Sequence, residues 1–361
     1  MECQLGNQKP PLFLNFTEMK KRIIIIGGGI AGMTVAGALP SNEFDIILIE
    51  KEILPGGHVA KWDRLFPSRR PAKEVLDFVQ KSMAKNVVIK TGSTITTIHR
   101  DQNLFTLHLN GEEPIVGDAV VLATGFDLFD ARKKEEYGYG IYNNVITSEE
   151  LEQIFHEGKK LTTSEGKTPQ RIGIIHCVGS RDEKVGNLYC SKVCCVTGVK
   201  QAIEIKEMLP ECEIFSFYMD LRMYDRNFEE LYYEAQQKWG INFIRGRLSE
   251  CAENPGHSLI IKTEDTLTGH PLKMTVDMII LLVGFVPSPE TKRIARMLDL
   301  QTGQDGFLLS SDEHYNDNST SVPGVFLTGA VKGPACIVNT IADARATALQ
   351  IERFLITGIS E

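Results

Sequence analysis

The sequence lacks a long hydrophobic run, an excess of positive charge and the cysteine density of a disulfide-stabilised protein. No segment contains the roughly 18 uninterrupted apolar residues that a membrane-spanning helix needs. In the 361 residues, 39 lysines and arginines stand against 47 aspartates and glutamates, which gives a formal net charge of −8. No bulk positive field therefore exists to bind nucleic acid or anionic lipid. We expect no nucleic-acid partner and no membrane insertion.

Residues 1–20 show none of the features of a secretion signal. They contain Pro10, Pro11 and polar interruptions instead of an apolar core followed by a small-residue cleavage site. We interpret residues 1–20 as an N-terminal arm and expect a cytoplasmic protein. The eight cysteines are too few for a disulfide scaffold. Half of them fall between Cys177 and Cys195, which suggests a metal site in a reducing cytosol.

The order of the remaining segments predicts two α/β domains. A β-branched run at Arg22–Ile26, typical of a buried parallel strand, is followed by a glycine-rich turn and a small-residue helix. The same strand–helix alternation starts again at Ile172–Val178. The last part of the chain has too little structure to bury a core alone, so we expect it to complete the first domain. The predicted fold is α/β with two nested Rossmann-like domains, residues 21–165 plus 286–361 and residues 166–285.

A glycine-rich turn follows the first predicted strand. Gly27-Gly28-Gly29-Ile30-Ala31-Gly32 matches G-x-G-x-x-G, in which the glycines permit a tight turn, close approach of a pyrophosphate and close helix–strand packing. The N-terminus of the next helix adds partial positive charge. Glu50, at the end of the second predicted strand, is placed to accept hydrogen bonds from a ribose hydroxyl group. These features predict a dinucleotide site with contacts from Gly27, Gly29, Ile30, Ala31, Gly32, Glu50 and Lys51.

Three further elements indicate which dinucleotide is bound. Pro55-Gly56-Gly57-His58 follows the ribose-binding acid, Ala123-Thr124-Gly125 ends a strand, and a second glycine motif ends at Gly329-Ala330. Together they resemble the FAD-binding elements of two-dinucleotide-binding flavoproteins, although Ala330 replaces the usual acidic residue. Lys332 and the positive end of the helix after Pro334 are expected to stabilise a reduced, anionic flavin. These elements add Gly56, Gly57, His58, Ala123, Thr124, Gly125, Gly329, Ala330, Lys332, Gly333 and Pro334 to the predicted FAD contacts.

Four cysteines are concentrated at a strand–helix junction of the second predicted domain. Cys177 ends a strand, and Cys190, Cys194 and Cys195 lie near the start of the next helix with the spacing C-x12-C-x3-C-C. Four converging thiolates suit a cubane iron–sulfur cluster, and the helix dipole favours its negative charge. Zinc also accepts four thiolates, but its sites usually contain paired C-x2-C segments, which are absent here. Spacing alone leaves iron–sulfur, zinc, and redox-active or inert thiols as alternatives.

The second domain also lacks a second nucleotide fingerprint. Its first strand runs into Val178-Gly179-Ser180-Arg181-Asp182 instead of a second G-x-G-x-x-G. In NAD(P)H-dependent disulfide reductases that fingerprint binds the nicotinamide nucleotide. Its replacement by cysteines suggests that electrons pass through a cluster instead of as hydride. A self-contained NAD(P)H-dependent flavin disulfide oxidoreductase is the alternative function, and a zinc-stabilised FAD-binding scaffold is a third.

The cysteine-containing segments resemble the A-type subunit family of heterodisulfide reductase. The resemblance covers nearly the whole chain from Arg22 onward. It implies FAD, a homodimer, and electron transfer to B- and C-type partner subunits. It also implies that residues 166–285 form an iron–sulfur domain in place of an NAD(P)H domain, with one [4Fe–4S] cluster bound by Cys177, Cys190, Cys194 and Cys195. The segments that carry the resemblance are Cys177-Val178-Gly179-Ser180-Arg181-Asp182, Tyr189-Cys190-Ser191-Lys192-Val193-Cys194-Cys195, Gly56-Gly57-His58 and Gly333-Pro334.

The chain departs from the larger members of that family in one respect. Methanogen-type members insert cysteines just after the Gly-Gly-His element and near the C-terminus, whereas Leu65-Phe66-Pro67-Ser68-Arg69-Arg70-Pro71 contains none. In this respect the chain is similar to the short A-type members of the heterodisulfide reductase-like complexes of sulfur-oxidising bacteria. The resemblance therefore implies an electron-transfer subunit of sulfur metabolism, which relays electrons between flavin, cluster and partner subunits.

Overall fold

The computed structural model describes residues 20–357, so all of the predicted arm except Lys20 lies outside the described residues. The α-helices are α1 (Ile30–Ala38), α2 (Ala72–Ser82), α3 (Ser148–His156), α4 (Cys194–Met208), α5 (Phe228–Gln237), α6 (Pro289–Met297) and α7 (Ile337–Thr357). The strands are β1 (Lys21–Ile26), β2 (Phe44–Ile49), β3 (Arg64–Leu65), β4 (Arg70–Pro71), β5 (Val88–Lys90), β6 (Ile95–Asp101), β7 (Leu104–Leu109), β8 (Ile115–Gly117), β9 (Ala119–Leu122), β10 (Asp127–Leu128), β11 (Val145–Thr147), β12 (Arg171–Val178), β13 (Glu213–Tyr218), β14 (Asn242–Arg245), β15 (Glu250–Glu253), β16 (Leu259–Asp265), β17 (His270–Val276), β18 (Met278–Val283), β19 (Phe285–Val286) and β20 (Val325–Leu327).

The first large sheet is parallel and has the strand order β20-β9-β1-β2-β5. Its central strand β1 is buried on both faces, as its run of isoleucines predicts. Ile23 and Ile25 pack with residues of α1 and α7. Ile24 and Ile26 pack on the opposite face with the antiparallel sheet β6-β7-β8. Because successive side chains of a strand point to opposite faces, this one strand joins two hydrophobic layers.

The second large sheet is also parallel, with the order β11-β18-β12-β13-β14. Helices α4 and α5 pack against one face, and the antiparallel sheet β15-β16-β17 covers the other. The sequence analysis did not identify this antiparallel sheet. The two parallel sheets, each covered on both faces, confirm the predicted α/β class with two Rossmann-like units.

The chain passes between the two units twice, and the two segments that make these connections pair with each other. Strands β10 and β19 pair antiparallel, with Asp127 opposite Val286 and Leu128 opposite Phe285. The sequence analysis assigned residues 21–165 to the first domain, but β11 pairs with β18 in the second sheet. A three-residue strand has too little periodicity to reveal which sheet it joins. We therefore correct the placement of β11, while the two domain ranges as a whole stay a prediction.

No helix within residues 20–357 combines the length and the apolar character that crossing a membrane requires.

Candidate functional site

A cleft lies at the carboxyl ends of β1, β2 and β9, where ligands bind in open parallel sheets. Its walls come from the first glycine turn, the end of β2, the segment after it, the end of β9 and the tail of the chain. The residues predicted from sequence that line this cleft are Gly27, Gly29, Ile30, Ala31, Glu50, Lys51, Gly56, Gly57, His58, Ala123, Thr124, Gly125 and Ala330. The structure thus brings most of the predicted FAD contacts together around one cavity.

The glycines of the first turn are required by close backbone packing. Gly27 has a φ of 109°, and a Cβ atom there would lie 2.4 Å from the Ala123 carbonyl oxygen. A Cβ atom on Gly32 would lie 1.9 Å from the Gly27 carbonyl oxygen. Gly29 instead has a nearest neighbour 4.0 Å from its ideal Cβ position, the Cα of Gly57. The turn is therefore closed toward the sheet and open toward the cleft, as a pyrophosphate cradle must be.

The Glu50 carboxylate is fixed at the end of β2. Its side chain is buried, and Oε2 accepts a hydrogen bond of 2.6 Å from the Gly28 amide while Oε1 accepts one of 2.9 Å from the Glu52 amide. Each oxygen retains further lone pairs for a ligand hydroxyl group. This geometry suits a ribose acceptor and agrees with the chemistry expected of a dinucleotide site.

Two residues that the sequence analysis missed support the wall formed by Thr124. The Thr124 hydroxyl lies 2.6 Å from the Thr291 hydroxyl, which lies 2.9 Å from the Ser288 hydroxyl. Ser288 is the N-cap of α6, and its hydroxyl also accepts a hydrogen bond of 3.1 Å from the Thr291 amide. The Ser-Pro pair at residues 288–289 was an available helix-start signal, but only the tertiary fold places it beside Thr124.

A second cavity lies between the two units and continues the first. The two cavities share Trp62, Ala335 and Ile337, and the second one reaches Cys194 and Cys336. The cleft therefore runs from the ribose-binding end at β2, past the start of α7, to the thiol at the start of α4. A flat ring system at the end of a dinucleotide would enter this second cavity.

The inner end of the second cavity carries charged and amide groups. The Lys200 ammonium donates hydrogen bonds to the Glu152 carboxylate and, over 2.9 Å, to the Arg64 carbonyl oxygen. Gln201 is fully buried, and its amide donates over 2.8 Å to the Ser148 carbonyl oxygen and over 2.9 Å to the Glu152 carboxylate, while its Oε1 atom has no protein partner. A buried acceptor without a partner costs about 1–3 kcal/mol, and this oxygen has no surface open to the cavity. The glycine turn, the Glu50 carboxylate and the adjoining second cavity together suit a dinucleotide such as FAD.

Three of the four candidate metal-ligating cysteines lie side by side. Cys177 ends β12, and Cys194 and Cys195 begin α4, and all three are buried. The Cys177 and Cys194 sulfur atoms are 3.9 Å apart, and the Cys195 sulfur lies 3.6 Å from the Asp220 carbonyl oxygen. Cys190 lies on the preceding loop and is partly exposed, and its sulfur accepts a hydrogen bond of 3.3 Å from the Lys192 amide.

The three buried thiols share their protons unequally. A hydrogen bond from Cys194 lowers the pKa of Cys177 to about 7, and another lowers the pKa of Cys195 to about 4. The same two hydrogen bonds, together with burial, raise the pKa of Cys194 well above its ordinary value. Two sulfurs with thiolate character therefore flank one protonated thiol. Since thiolates are the form that binds metals, this is the chemistry that a thiolate-ligated metal centre needs.

The loop between Cys177 and Cys190 is anchored by a buried ion-pair network. The Asp182 carboxylate is buried, and it accepts a hydrogen bond of 2.8 Å from Lys134 and another from Arg247. These two cations lower the pKa of Asp182 against the opposing effect of burial. Within the described part of the chain, no three His, Cys, Asp or Glu side chains are arranged closely enough to hold a metal ion. The chemistry of the thiols suits a metal centre, but their arrangement among the described residues is not that of an assembled metal site.

Five predicted FAD contacts do not line the first cavity. Gly32 packs against the β1–α1 turn, and a Cβ atom on Gly329 would lie 2.8 Å from the Ala31 side chain, so both act through close packing. The Lys332 ammonium binds Asp343 at 2.7 Å and Asp317 at 2.5 Å, so its charge is already paired. The assignments of Lys332, and of Gly333 and Pro334 beside it, stay predictions.

The chain is similar to curated proteins from methanogens. It is 40% identical over 244 residues to the A-type subunit of H(2):CoB-CoM heterodisulfide,ferredoxin reductase of Methanothermobacter thermautotrophicus, covering 66% of this chain and 37% of that protein. It is 32% identical over 419 aligned positions to the A-type iron-sulfur subunit of CoB--CoM heterodisulfide reductase of Methanocaldococcus jannaschii, covering 92% of this chain and 64% of that protein. The chain thus spans less than two thirds of either relative.

Solved structures share the fold at low sequence identity. The thioredoxin reductase of T. acidophilum superposes with a TM-score of 0.64 at 18% identity, covering 94% of this chain and 100% of that one. The thioredoxin reductase of Lactococcus lactis gives a TM-score of 0.65 at 17% identity with the same coverage. These likenesses show a fold with two dinucleotide-binding domains.

The family described as pyridine nucleotide-disulphide oxidoreductase matches residues 21–348. That match spans both parallel sheets and the whole cleft between them, and the family implies FAD. The resemblance to the A-type subunits of heterodisulfide reductase that the cysteine segments indicated is confirmed by the methanogen relatives. The chain is therefore an oxidoreductase of the pyridine nucleotide-disulphide oxidoreductase family, and within it a relative of the heterodisulfide reductase A-type subunits.

Proposed function

We propose that the chain is an FAD- and [4Fe–4S]-containing electron-transfer subunit of a heterodisulfide reductase-like complex in sulfur metabolism. The observation that supports this most directly is the continuous cleft from Glu50 to Cys194. The dinucleotide cleft and a cavity lined by Cys194 adjoin each other, which supports a path between a flavin and the buried thiols. Flavin accepts electrons in pairs and releases them singly, which suits transfer to a one-electron centre.

The chain's own residues would divide this task between the two units. The glycine turn would bind the pyrophosphate, and Glu50 would bind the ribose. Residues of both units, among them Trp62 and Phe285, would enclose the ring in the second cavity. Cys177, Cys190, Cys194 and Cys195 would hold the cluster, with the partial positive end of α4 directed at its negative charge.

The proposal also includes partners and an assembly. Both methanogen relatives are named as subunits of heterodisulfide reductases. We propose that this chain forms a homodimer and transfers electrons to B- and C-type subunits in the cytoplasm. Co-purification of the tagged chain from its native cells, followed by mass spectrometry and light scattering, tests both statements. A monomer that carries no redox partner would contradict them.

Metal analysis of anaerobically purified protein tests the cluster. We expect about four irons with matching acid-labile sulfide per chain and an electron paramagnetic resonance signal on reduction. Cys194→Ala should lose the iron and the signal while FAD stays bound. Cys251→Ala, which changes a buried cysteine outside the set of four, should keep both. One zinc per chain without sulfide would refute the iron–sulfur assignment.

Mixing the flavin-loaded chain with NADH tests the route of electron entry. Because the junction after β12 carries cysteines instead of a second G-x-G-x-x-G, we expect no rapid loss of the flavin absorbance. Dithionite should bleach the same sample, which shows that the flavin is reducible. Complete bleaching by stoichiometric NADH within seconds would instead identify a self-contained NAD(P)H-dependent reductase.

A further inference from the structure

A short hairpin of the first unit reaches across to the helices of the second. It comprises residues 64–71, in which β3 and β4 pair antiparallel. We call this segment the clamp hairpin. Arg64, Leu65 and Phe66, at its start, line the second cavity together with Cys194. The hairpin is therefore both a wall of the cavity and a bridge between the two units.

The tip of the clamp hairpin is attached by ion pairs. Arg69 binds Glu234 of α5 through two hydrogen bonds of 3.0 and 3.1 Å, and it lies 3.7 Å from Glu207 of α4. Arg64 binds the same Glu207 at 2.7 Å. The Arg69 and Glu234 side chains are only 19% and 29% exposed. A bidentate, partly buried pair of this kind is stronger than an ordinary surface salt bridge.

Two further contacts connect the hairpin to the second unit. The Phe66 ring packs edge-on against Phe228 of α5, with 5.6 Å between ring centroids. The Lys200 ammonium, inside the cavity, donates a hydrogen bond of 2.9 Å to the Arg64 carbonyl oxygen. The hydrogen bonds from Arg69 also lower the pKa of Glu234 to about 2, so the pair stays charged at neutral pH.

We propose that Arg69 and Glu234 are positioning residues whose ion pair closes the clamp hairpin over the second cavity. In this closed arrangement the hairpin fixes the first unit, with its dinucleotide cleft, against the second unit, with Cys194. It also keeps water away from the inner end of the cleft. The consequence for electron transfer rests on the proposed function, whereas closure of the hairpin itself depends only on the chain.

Hydrogen exchange of the chain without added flavin tests the closure. Arg69→Ala should accelerate backbone exchange in residues 64–71 and in α5 at least tenfold. Glu234→Gln, which keeps an acceptor for the Trp239 indole, should do the same. The effect of the double variant should fall clearly short of the sum of the two single effects, because both changes break the same pair. Arg69→Lys keeps the charge but loses the bidentate geometry, so its exchange rate should lie between those of the unaltered chain and of Arg69→Ala.

Arg70→Ala is the matched control. Arg70 adjoins Arg69 in the hairpin, but it pairs with Glu74 at 2.9 Å within the first unit, and both side chains are more than half exposed. Exchange in this variant should equal that of the unaltered chain. Equal exchange in Arg69→Ala and Arg70→Ala would overturn the proposal, and so would additive effects of Arg69→Ala and Glu234→Gln.

Flavin fluorescence gives a second measurement on the loaded chain. Opening of the hairpin admits water, so we expect Arg69→Ala to release flavin at least fivefold faster than Arg70→Ala. Unchanged release in Arg69→Ala would contradict the water-excluding role of the hairpin. If neither the variants nor the unaltered chain retains flavin, the proposed function fails, while the exchange experiment still decides whether the clamp exists.

Discussion

At the scale of single residues, the buried charges between the units are the groups most affected by their surroundings. Glu204 is only 5% exposed, and its Oε2 atom lies 3.2 Å from the Lys200 ammonium. Burial raises the pKa of Glu204 to about 7, while Lys200 opposes that shift and Glu152 adds to it. The folded chain therefore retains a proton on Glu204 at pH values at which the unfolded chain has already released it.

This pKa shift predicts that Glu204→Gln removes a pH-dependent loss of stability. In the unaltered chain the contribution of Glu204 is fully present below about pH 4.5 and is lost as the pH rises toward 7. Between pH 4.5 and pH 8 the unaltered chain should therefore lose about 3 kcal/mol of unfolding free energy that the Glu204→Gln variant does not lose. Urea unfolding at both pH values measures this difference. Glu211→Gln, at an exposed position, is the control, and equal pH profiles for both variants would contradict the prediction.

The first glycine turn gives a prediction in which backbone conformation and lack of space act together, since φ is 109° at Gly27 and 63° at Gly92. Gly27 and Gly92 both have positive φ, but a Cβ atom at Gly92 would meet nothing within 4 Å. Gly92→Ala should therefore cost about 1 kcal/mol, the backbone effect alone. Gly27→Ala should cost at least twice as much and abolish FAD binding, since its Cβ atom collides with the Ala123 carbonyl group. Denaturant unfolding and flavin absorbance measure both effects, and FAD binding by Gly27→Ala would disprove the steric argument.

At the scale of elements, the N-terminal ends of helices as well as the ends of strands form or support the walls of the cleft. The N-cap of α6 connects through Thr291 to the Thr124 hydroxyl at the end of β9. The start of α7 brings Ala335 and Ile337 to the point that the two cavities share. The start of α4 carries Cys194 and Cys195. Together with the N-terminus of α1 at the glycine turn, four helix N-termini of the described residues therefore meet the cleft or the thiols. Each brings partial positive charge to its end of the helix.

Ser288→Ala should weaken both α6 and the cleft. Loss of the capping hydroxyl should cost about 1 kcal/mol of unfolding free energy. Because Ser288 also bonds to the Thr291 hydroxyl, FAD affinity should fall two- to fivefold. Ser311→Ala removes an exposed hydroxyl and should leave both quantities unchanged. Calorimetric FAD titration combined with thermal unfolding measures these effects, and a stability loss without any affinity loss would show that the hydroxyl chain does not support Thr124.

At the scale of the whole molecule, the two units carry separate parts of the function. The dinucleotide cleft is built mainly by the first unit, and the four cysteines belong to strands, loops and helices of the second. The second cavity is where residues of both units line one space. Changes in one unit should therefore leave the binding chemistry of the other intact unless they reach this cavity.

This division predicts a contrast between two variants. Free FAD at 100 times its Kd should stabilise the unaltered chain by about 2.7 kcal/mol, since it binds only the folded state. Cys195→Ala, a change in the second unit outside the lining of both cavities, should retain this increment. Glu50→Ala should lose most of it at the same FAD concentration because the ribose acceptor is gone. Thermal unfolding with and without FAD measures both. An undiminished increment in Glu50→Ala would contradict the assignment of Glu50 to the dinucleotide.

A structural feature could be predicted from the sequence where the residues that form it follow one another along the chain. The glycine turn and Glu50 were predictable because strand, turn and helix are consecutive, so their spacing carries the geometry. The sheet β15-β16-β17 was missed because β15 has only four residues and because charged residues in β16 and Pro271 in β17 interrupt the apolar pattern. The placement of β11 was wrong because the register of three residues is decided by the partner strand.

The order of residues along the chain was sufficient for the alternation of strands and helices and for the dinucleotide turn, because the strand, the turn and the helix follow one another directly. The spacing predicted a group of four cysteines, and the fold brings three of them side by side. Packing of the folded units was needed to bring the Lys200 ammonium to both Glu152 and Arg64, to leave Gln201 with an unpaired oxygen in the same cavity, and to carry Arg69 to α5. These contacts join residues far apart in sequence, and their formation depends on how the two units meet. The periodicity and spacing of residues do not reveal these contacts. Those patterns reflect burial within each unit, and the core of each unit can be buried without contacts between the units.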